Sequence, residues 1–418
     1  MSAGGREASP SPSHGEGRGG AAASAGRPLE VEDAGPRLPR VSSALAAAHA
    51  EGVAPALSAV VLRGGALVHA ETLGEARRLP TPRPLEPGDL FDLASLTKLF
   101  TATVAARLLA AGRLDLDAPA SRWLEGFGGE KRAITLRHLL AHASGLPAWR
   151  PYWQVLRGTG LQAAPGSTPS PPRGEGGGGG ARPALEALLA AEPLEASPGT
   201  RAVYSDLGFL ALGLALERAG GAPLDRLVRD LVLAPLGLGE TFFLREGDPA
   251  AAARRAAHGF AATRLAPSRG RVLEGEVDDD NAWAAGGVAG HAGLFSRARE
   301  VAAFGEAWRA ALDGRSPFLP RDVAVEFARR APTPGGDRAL GWDTPSGPET
   351  SLGARLGRGP RGAVGHLGYT GTSLWLDLDA GLVCVLLTNH CHPGGADKAR
   401  IRGLRRRFHD AVAEALGA

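Results

Sequence analysis

The chain has 418 residues, 44% of them apolar, and carries 47 basic and 44 acidic residues for a formal net charge of +3. This small excess of positive charge excludes nucleic acid as the main partner. No segment approaches the roughly 18 consecutive apolar residues of a membrane span. The two cysteines, Cys384 and Cys391, are too few for a disulfide framework.

Two segments have the composition of unfolded chain. Residues 1–40 are rich in Gly, Ser, Pro and Ala with scattered charge, which predicts a disordered tail. This tail has no apolar core of a signal peptide, so the sequence as it stands predicts a cytoplasmic protein, or a periplasmic or extracellular one if the start is misassigned. Residues 164–183 repeat this low complexity and predict a flexible surface insertion.

The first structured elements alternate between strand and helix patterns. Residues 57–74 form two apolar runs around Gly64-Gly65, typical of a β-hairpin. Residues 95–112 place apolar side chains at helical spacing and stop at a glycine. Residues 205–221 repeat the helical pattern, with Asp206 as the predicted N-cap.

The end of the chain returns to a strand pattern. Residues 371–389 alternate and turn at 379–381, which predicts a second hairpin, and 396–418 predict an amphipathic helix that packs on the sheet. One antiparallel sheet assembled from both ends, flanked by helices and with an all-helical domain inserted, is the predicted α/β (α+β) fold. The predicted domain covers 41–395, with a sheet part at about 41–90 and 290–418 and a helical part at about 91–289.

Lysine is rare in this chain, with three residues against 44 arginines, and Lys98 lies three positions after Ser95. Residues at i and i+3 share a helix face, so Lys98 can reach the Ser95 hydroxyl. An amine can take the serine proton when its pKa is lowered, whereas a guanidinium cannot. The alternative is a chance S-x-x-K spacing.

Two further segments could supply partners for this pair. Tyr204 stands directly before a helix, where its phenol could shuttle a proton to a leaving group. Glycines in residues 365–375 allow close backbone approach, so a strand N–H could join that of Ser95 in an oxyanion hole. The alternatives are a half-buried aromatic residue and an ordinary Gly-rich strand entrance.

Six motifs in order resemble one known superfamily. They are "FDLASLTKLFTA", "LRHLLAHASGLP", "YSDLGF", "LAPLGLGET", "GGVAGHAGLFS" and "GHLGYTGTSLW". The chain resembles the serine β-lactamase and penicillin-binding-protein superfamily, in its class C β-lactamase-like branch of esterases, carboxypeptidases and D-aminopeptidases. The resemblance runs from about residue 45 to 392 and implies a β-lactamase/transpeptidase-like fold.

The resemblance implies a role for each matching residue. Ser95 would be the acylated nucleophile, Lys98 its partner base, and Tyr204 the tyrosine that protonates the leaving group. The backbone N–H groups of Ser95 and Tyr369 would form the oxyanion hole. No metal or organic cofactor is implied.

The chain departs from the family pattern at two places. Asp206 stands where Y-x-N members have asparagine, and a carboxylate there would keep Lys98 charged. "HLG" stands where β-lactamases have K-T-G, which removes a threonine hydroxyl and leaves a histidine that is only fractionally charged. Both changes weaken recognition of a β-lactam or a C-terminal D-alanine. The predicted substrate-binding residues are Asp206, His366, Leu367, Gly368 and, as a possible pocket residue, His291.

These features together predict a serine hydrolase that forms a Ser95 acyl-enzyme with a small ester or amide. The alternative within enzymes is a D-alanyl-D-alanine carboxypeptidase or β-lactamase. From another class, the alternative is a non-catalytic protein that binds peptidoglycan fragments on the same scaffold. The predicted partner is thus a small ester, amide or peptidoglycan-derived molecule, and the sequence leaves the oligomeric state open.

Two other clusters receive structural interpretations. His390, Cys391 and His392 are adjacent, but neighbours on an extended run point to opposite faces, so we predict a loop and no metal site. Four arginines of the last helix, accompanied by Asp410 and Glu414, predict a solvated face. They are Arg402, Arg405, Arg406 and Arg407.

Overall fold

The computed structural model describes residues 35–158, 181–347, 350–395 and 397–418. Its strands are β1 Ala56–Arg63, β2 Ala66–Arg77, β3 Arg83–Pro84, β4 Phe91–Asp92, β5 Phe242–Phe243, β6 Leu265–Ala266, β7 Arg271–Val272, β8 Leu294–Ser296, β9 Ala363–Leu367, β10 Ser373–Asp377 and β11 Leu382–Thr388. Its α-helices are α1 Pro39–Ala50, α2 Thr97–Ala110, α3 Leu136–Leu140, α4 Tyr152–Leu156, α5 Ala181–Ala191, α6 Asp206–Gly220, α7 Leu224–Val228, α8 Ala234–Leu236, α9 Pro249–Ala257, α10 Asp280–Ala284, α11 Ala298–Leu312, α12 Arg321–Ala328 and α13 Lys398–Leu416.

The main sheet joins the two ends of the chain, as the sequence predicts. Its strand order is β3-β2-β1-β11-β10-β9, and the neighbouring strands are antiparallel. The β1–β2 and β10–β11 hairpins were both predicted from their glycine-containing turns. The central pair β1–β11, with Val60 opposite Val385, closes the sheet between the N-terminal and C-terminal segments.

Both faces of the sheet are covered, which is why its central strands are apolar on both sides. In β1, Leu57, Ala59 and Val61 pack with α1 and α13, whereas Val60 and Leu62 pack toward α11 and the helical block. Each fully buried aliphatic side chain of this kind contributes roughly 1.5–3 kcal/mol through burial of apolar surface. Because successive side chains of a strand point to opposite faces, this alternation determines which face of the sheet packs against α1 and α13 and which packs against α11.

The helical block lies between the two sheet segments, and α2 and α6 form its centre. The structure corrects the predicted start of α6: Ser205 is the N-cap, because its hydroxyl accepts a hydrogen bond from the Gly208 N–H at 3.0 Å. Asp206 is the first helical residue instead. The helix ends as predicted at Gly221, whose φ of 71° suits glycine. The block also holds short strands, including the β6–β7 pair.

Two predicted boundaries move in the structure. Helix α1 begins at Pro39, so the predicted tail ends earlier than residue 40, because the fixed φ of proline suits the first helical turn. Residues 1–34 of that tail lie outside the described residues. The predicted insertion falls outside them up to residue 180, and its last three residues begin α5, where Arg182 pairs with Glu217.

The C-terminal helix packs on the sheet beside α1, as predicted. One part of that prediction is wrong: Arg405 is not on a solvated face but is buried, with 6% of its surface exposed. It lies on the apolar stripe of α13 between Leu404 and Phe408. In the described ranges no single helix is long and apolar enough to span a membrane, although the bent pair Asp206–Gly220 and Leu224–Leu236 meets the length and composition criteria together.

Candidate active site

Ser95 lies in a tight 3-10 turn, Ala94–Leu96, that leads directly into α2. The preceding residue, Ala94, has a φ of 47°, a left-handed conformation that costs a non-glycine residue roughly 1–2 kcal/mol. The Asp92 carboxylate holds this conformation by accepting a hydrogen bond from the Ala94 N–H at 2.8 Å. The strained turn therefore presents Ser95 at the head of the helix.

Lys98 is fully buried and its Nζ contacts three polar groups. It donates to the Ser95 Oγ at 2.9 Å and to the His291 carbonyl at 3.2 Å. It also lies 2.7 Å from Oδ1 of Asp206, in an ion pair. The S-x-x-K spacing thus brings the predicted nucleophile and its predicted partner together, and Asp206 joins them.

Tyr204 approaches Ser95 from the other side. Its hydroxyl donates to the Ser95 Oγ at 2.8 Å, and Lys98 Nζ lies 4.8 Å from its ring centre. The loop that carries Tyr204 is held by His142, whose Nδ1 accepts from the Ser205 N–H at 3.0 Å. The His142 ring packs against that of Tyr204 with centroids 4.6 Å apart. The sequence did not indicate that His142 lies beside Tyr204.

The electrostatics of the cluster keep its donors protonated. Burial lowers the pKa of Lys98, but the Asp206 carboxylate and the Tyr204 hydroxyl outweigh it and leave that pKa above its ordinary value. Burial also raises the pKa of Tyr204, although the Lys98 charge opposes this shift. At neutral pH Lys98 is therefore an ammonium and Tyr204 a phenol, so both donate to the serine oxygen.

His291 lies at the back of this cluster. Its side chain is buried and its Nε2 lies 2.8 Å from Oδ1 of Asp279. Burial opposes ionisation of Asp279, but its interaction with His291 and the hydrogen bond from the Ala282 N–H hold the pKa of this carboxyl at about 2. The carbonyl of His291, rather than its ring, contacts Lys98. The structure therefore places the backbone of this residue beside Lys98, with its ring paired to a carboxylate.

The predicted "HLG" motif is the end of β9 and the start of a turn. His366 is buried, its ring lies 6.0 Å from that of Tyr204, and burial followed by the Lys98 charge holds its pKa well below the ordinary value. Leu367 is half-buried and Gly368 backs onto the Leu93 carbonyl. The oxyanion-hole role of the Ser95 and Tyr369 N–H groups stays a prediction.

One arginine near Tyr204 was not foreseen. The Arg338 guanidinium lies 4.7 Å from the centre of the Tyr204 ring and forms an ion pair with Asp343. Its side chain is 22% exposed. Its place could not be read from the sequence, since Arg338 lies in an irregular segment more than 130 residues from Tyr204.

The histidines of residues 389–393 contact backbone carbonyl groups. His390 Nδ1 contacts the Val53 carbonyl and His392 Nδ1 contacts that of Thr263. Both cysteines are buried as free thiols. Across the described ranges no three or more His, Cys, Asp or Glu residues are grouped so that they could hold a metal ion.

Comparison with known proteins gives the family. The Beta-lactamase family model matches residues 41–406. A protein of Escherichia coli (strain K12) named "Putative D-alanyl-D-alanine carboxypeptidase" is 27% identical over 367 residues, covering 82% of this chain and 80% of its own length. A Salmonella typhi protein of the same name is 28% identical over 360 residues, covering 81% and 79%.

Solved structures agree on the fold. The structure titled "EstCE1, a hydrolase with promiscuous acyltransferase activity" has a TM-score of 0.66 at 23% identity, covering 90% of this chain and 97% of its own. The octameric penicillin-binding protein homologue from Pyrococcus abyssi has a TM-score of 0.65 at 21% identity, covering 91% and 77%. A class C β-lactamase has a TM-score of 0.64 at 15% identity, covering 89% and 97%. The predicted fold class and superfamily are confirmed, and the chain belongs to the β-lactamase family, whose members are usually serine hydrolases.

Proposed function

We propose that this protein hydrolyses small esters or amides through an acyl-enzyme on Ser95. The observation that carries this proposal is the pair of hydrogen bonds to the Ser95 Oγ, from Lys98 Nζ at 2.9 Å and from the Tyr204 hydroxyl at 2.8 Å. A protein that only binds its ligand has no chemical need for a buried lysine and a phenol on one serine. The non-catalytic alternative is therefore disfavoured.

Proton movement in this site begins from a fully protonated cluster, because the pKa values of Lys98 and Tyr204 are both raised. Ser95 must lose its proton as its Oγ attacks the substrate carbonyl. Asp206, 2.7 Å from the Lys98 Nζ, can take one ammonium proton while Lys98 accepts the serine proton. This relay lets an otherwise charged lysine act as the base.

The acyl transfer then follows from the positions of the same groups. The bond between Oγ and the carbonyl carbon forms, and the carbonyl oxygen becomes an oxyanion. The bond to the leaving group breaks as Tyr204, a phenol at neutral pH, donates its proton to the departing oxygen or nitrogen. Water repeats the attack on the acyl-enzyme and releases the acid, with the proton transfers reversed.

The walls of the site favour an uncharged acyl group. His366 stays neutral because burial and the Lys98 charge lower its pKa, and Leu367 offers no hydroxyl. A substrate carboxylate would find neither a cation nor a hydroxyl on this strand. These two residues support an ester or a simple amide over a β-lactam.

A second candidate, a D-alanyl-D-alanine carboxypeptidase, is favoured by Arg338. Its guanidinium, over the ring of Tyr204, could receive the C-terminal carboxylate of such a peptide. The relatives of this chain in Escherichia coli and Salmonella are named "Putative D-alanyl-D-alanine carboxypeptidase". Asp343 already pairs with Arg338, which weakens the attraction for a substrate carboxylate. We therefore place this function second.

The test compares three substrates on the same protein. Initial rates are measured with a short-chain nitrophenyl ester and a peptide ending in D-alanyl-D-alanine, and the intact-protein mass is measured after incubation with a penicillin. We expect ester turnover that exceeds peptide turnover, and no lasting penicillin adduct. Faster peptide turnover that Arg338→Met abolishes would establish the carboxypeptidase instead. Absence of reaction with all three from about pH 6 to pH 9 would contradict both enzyme functions.

A further inference from the structure

Arg405 of helix α13 is a buried cation with an unusual environment. Only 6% of its surface is exposed, and within the described residues no carboxylate interacts with it. Burial lowers its pKa to about 9, which still leaves it charged at neutral pH. Burying an unpaired charge is costly, since nothing replaces the lost hydration in full. A buried arginine of this kind therefore calls for a role other than packing.

Two backbone carbonyls accept hydrogen bonds from the Arg405 guanidinium. Its Nη2 donates to the Gly368 carbonyl at 2.8 Å and to the Thr372 carbonyl at 2.9 Å. Both carbonyls belong to the turn between β9 and β10, which has Tyr369 next to Gly368. The Arg405 charge therefore lies against the turn that contains Tyr369, whose N–H is the second predicted oxyanion donor.

This turn is fastened to the segment that precedes the nucleophile. The Thr370 hydroxyl donates to the Asp92 carbonyl at 2.8 Å, and the Thr372 hydroxyl donates to the Leu93 carbonyl at 3.0 Å. A Cβ placed on Gly368 would lie 2.7 Å from that same Leu93 oxygen. Arg405 and the residues just before Ser95 are therefore both hydrogen-bonded to this one short turn.

The Gly368 carbonyl and the Tyr369 N–H belong to a single peptide group. The peptide is trans, so its C=O and N–H point in opposite directions. The Gly368 oxygen accepts from Arg405 and also from the Gly371 N–H at 3.1 Å, and these two donors together restrict rotation of the peptide plane and direct the Tyr369 N–H away from α13. A cation on the oxygen also draws electrons from the amide, which makes its N–H a stronger donor.

We propose that Arg405 is a positioning residue that orients and polarises the Gly368–Tyr369 peptide, so that the Tyr369 N–H stabilises the oxyanion formed at Ser95. The inference rests on the proposed acyl-enzyme function and adds a charged group from the C-terminal helix to it. Arg405 does not touch the substrate. It acts on the transition state through one peptide bond.

The test measures transition-state stabilisation separately from folding. Removing a direct oxyanion donor costs about 10²–10³ in kcat, so we expect the indirect change Arg405→Met to lower kcat for ester hydrolysis by about ten- to a hundredfold, with KM nearly unchanged. The affinity for an arylboronic acid, which becomes a tetrahedral anion on the serine, should fall by a similar factor. Arg405→Lys keeps the charge and should restore most of both losses.

Control variants separate the effect of losing Arg405 from a general effect of changing helix α13. Arg402→Met removes an exposed arginine from the same helix and should leave kcat and boronate affinity at wild-type values. If Arg405→Met does not fold, Arg405→Gln, which keeps a donor without the charge, takes its place and should show the same losses. These losses must occur without a matching change in the melting temperature of the protein.

Two outcomes would overturn the inference, and they are distinguishable. If wild-type protein forms the boronate adduct at Ser95 and the Met or Gln variant binds boronate equally well, Arg405 is only structural and the inference alone fails. If wild-type protein forms no adduct at Ser95 and hydrolyses no ester, the proposed function fails and this inference fails with it.

Discussion

At the scale of single residues, Asp206 decides how the site works. An asparagine at this position would leave burial as the main influence on Lys98, whereas the carboxylate at 2.7 Å keeps the amine charged. The same carboxylate is close enough to accept a proton from Lys98. Asp206 thus raises the pKa of Lys98, the proposed base, and in the proposed mechanism it offers a route by which Lys98 can still accept a proton.

Replacing Asp206 tests this double role through pH dependence. In Asp206→Asn burial still lowers the Lys98 pKa, while the stronger of the two groups that raise it is lost and only Tyr204 remains, so the deprotonated amine appears at lower pH. We expect the rise of kcat/KM with increasing pH to begin at lower pH than in wild type. The measurement is the pH profile of ester hydrolysis.

The control for that profile is Asp230→Asn, which removes a carboxylate 56% exposed at the surface. It should reproduce the wild-type profile. A profile of Asp206→Asn that is unchanged or moved to higher pH would show that Lys98 ionisation does not limit the reaction.

The sequence singled out Ser95, Lys98 and Tyr204, and only the family resemblance placed the Asp206 carboxylate near Lys98. The ion pair of Lys98 with Asp206 joins α2 to α6, and no local pattern indicates a contact across 108 positions. Ser205 and Asp206 are both good N-caps, so local propensity could not choose between them. Tertiary structure made the choice, because the Asp206 carboxylate is taken up by Lys98.

At the scale of elements, the turn between β9 and β10 links the sheet to the helical block. It receives hydrogen bonds from α13 and gives them to the residues before Ser95. Gly368 is required at this crossing because another side chain would collide with Leu93 and Thr372. The geometry around Ser95 therefore depends on a strand turn that lies far from it in sequence.

A single methyl group at this turn should be damaging. In Gly368→Ala the added Cβ would lie 2.7 Å from the Leu93 carbonyl oxygen and collide with the Thr372 hydroxyl. We expect a loss of about 1–3 kcal/mol in the free energy of unfolding, typical of overpacking, with at least a tenfold loss in kcat. Urea denaturation and ester kinetics measure the two effects.

The matched control is Gly403→Ala in α13, where an added Cβ meets no atom within 4 Å. Alanine is preferred over glycine in a helix by roughly 0.5–1 kcal/mol, so this variant should be slightly more stable and fully active. Wild-type stability and kcat in Gly368→Ala would show that the turn yields easily and does not position the nucleophile.

Helix α13 shows what periodicity could have revealed. Ile401, Leu404, Phe408 and Val412 repeat at helical spacing, and Arg405 falls on the same stripe. That position indicates burial, yet the run of arginines favoured a solvated face. The pattern gave a usable signal for burial of Arg405, but its acceptors, two carbonyls of a distant turn, follow only from the tertiary structure.

At the scale of the whole molecule, the order of elements predicted the architecture well. Turn glycines identified both hairpins, and helical spacing identified α2, α6 and α13. The pairing of β1 with β11 follows from two apolar hairpins that must each bury a face. Local patterns did not indicate the short strands β4 to β8, because strands of two or three residues depend on their partners for stability.

The sheet and the helical block meet at the active site, so the molecule as a whole positions the reaction. Ser95 comes from the turn before α2, Lys98 from the first turn of α2, and Tyr204 from the loop before α6. The "HLG" residues come from the end of β9 and the turn that follows it. No single element contains the site. The central claim is that this assembly makes Ser95 a nucleophile.

The most direct test is to trap the acyl-enzyme. Wild-type protein and Ser95→Ala are mixed with a nitrophenyl acetate, quenched in acid within seconds, digested and mapped by mass spectrometry. We predict one acetyl group on Ser95 in the wild type and none at the corresponding peptide of the variant, which should also lose ester turnover. Ester turnover that persists in Ser95→Ala, or acetylation confined to another residue, would contradict the account.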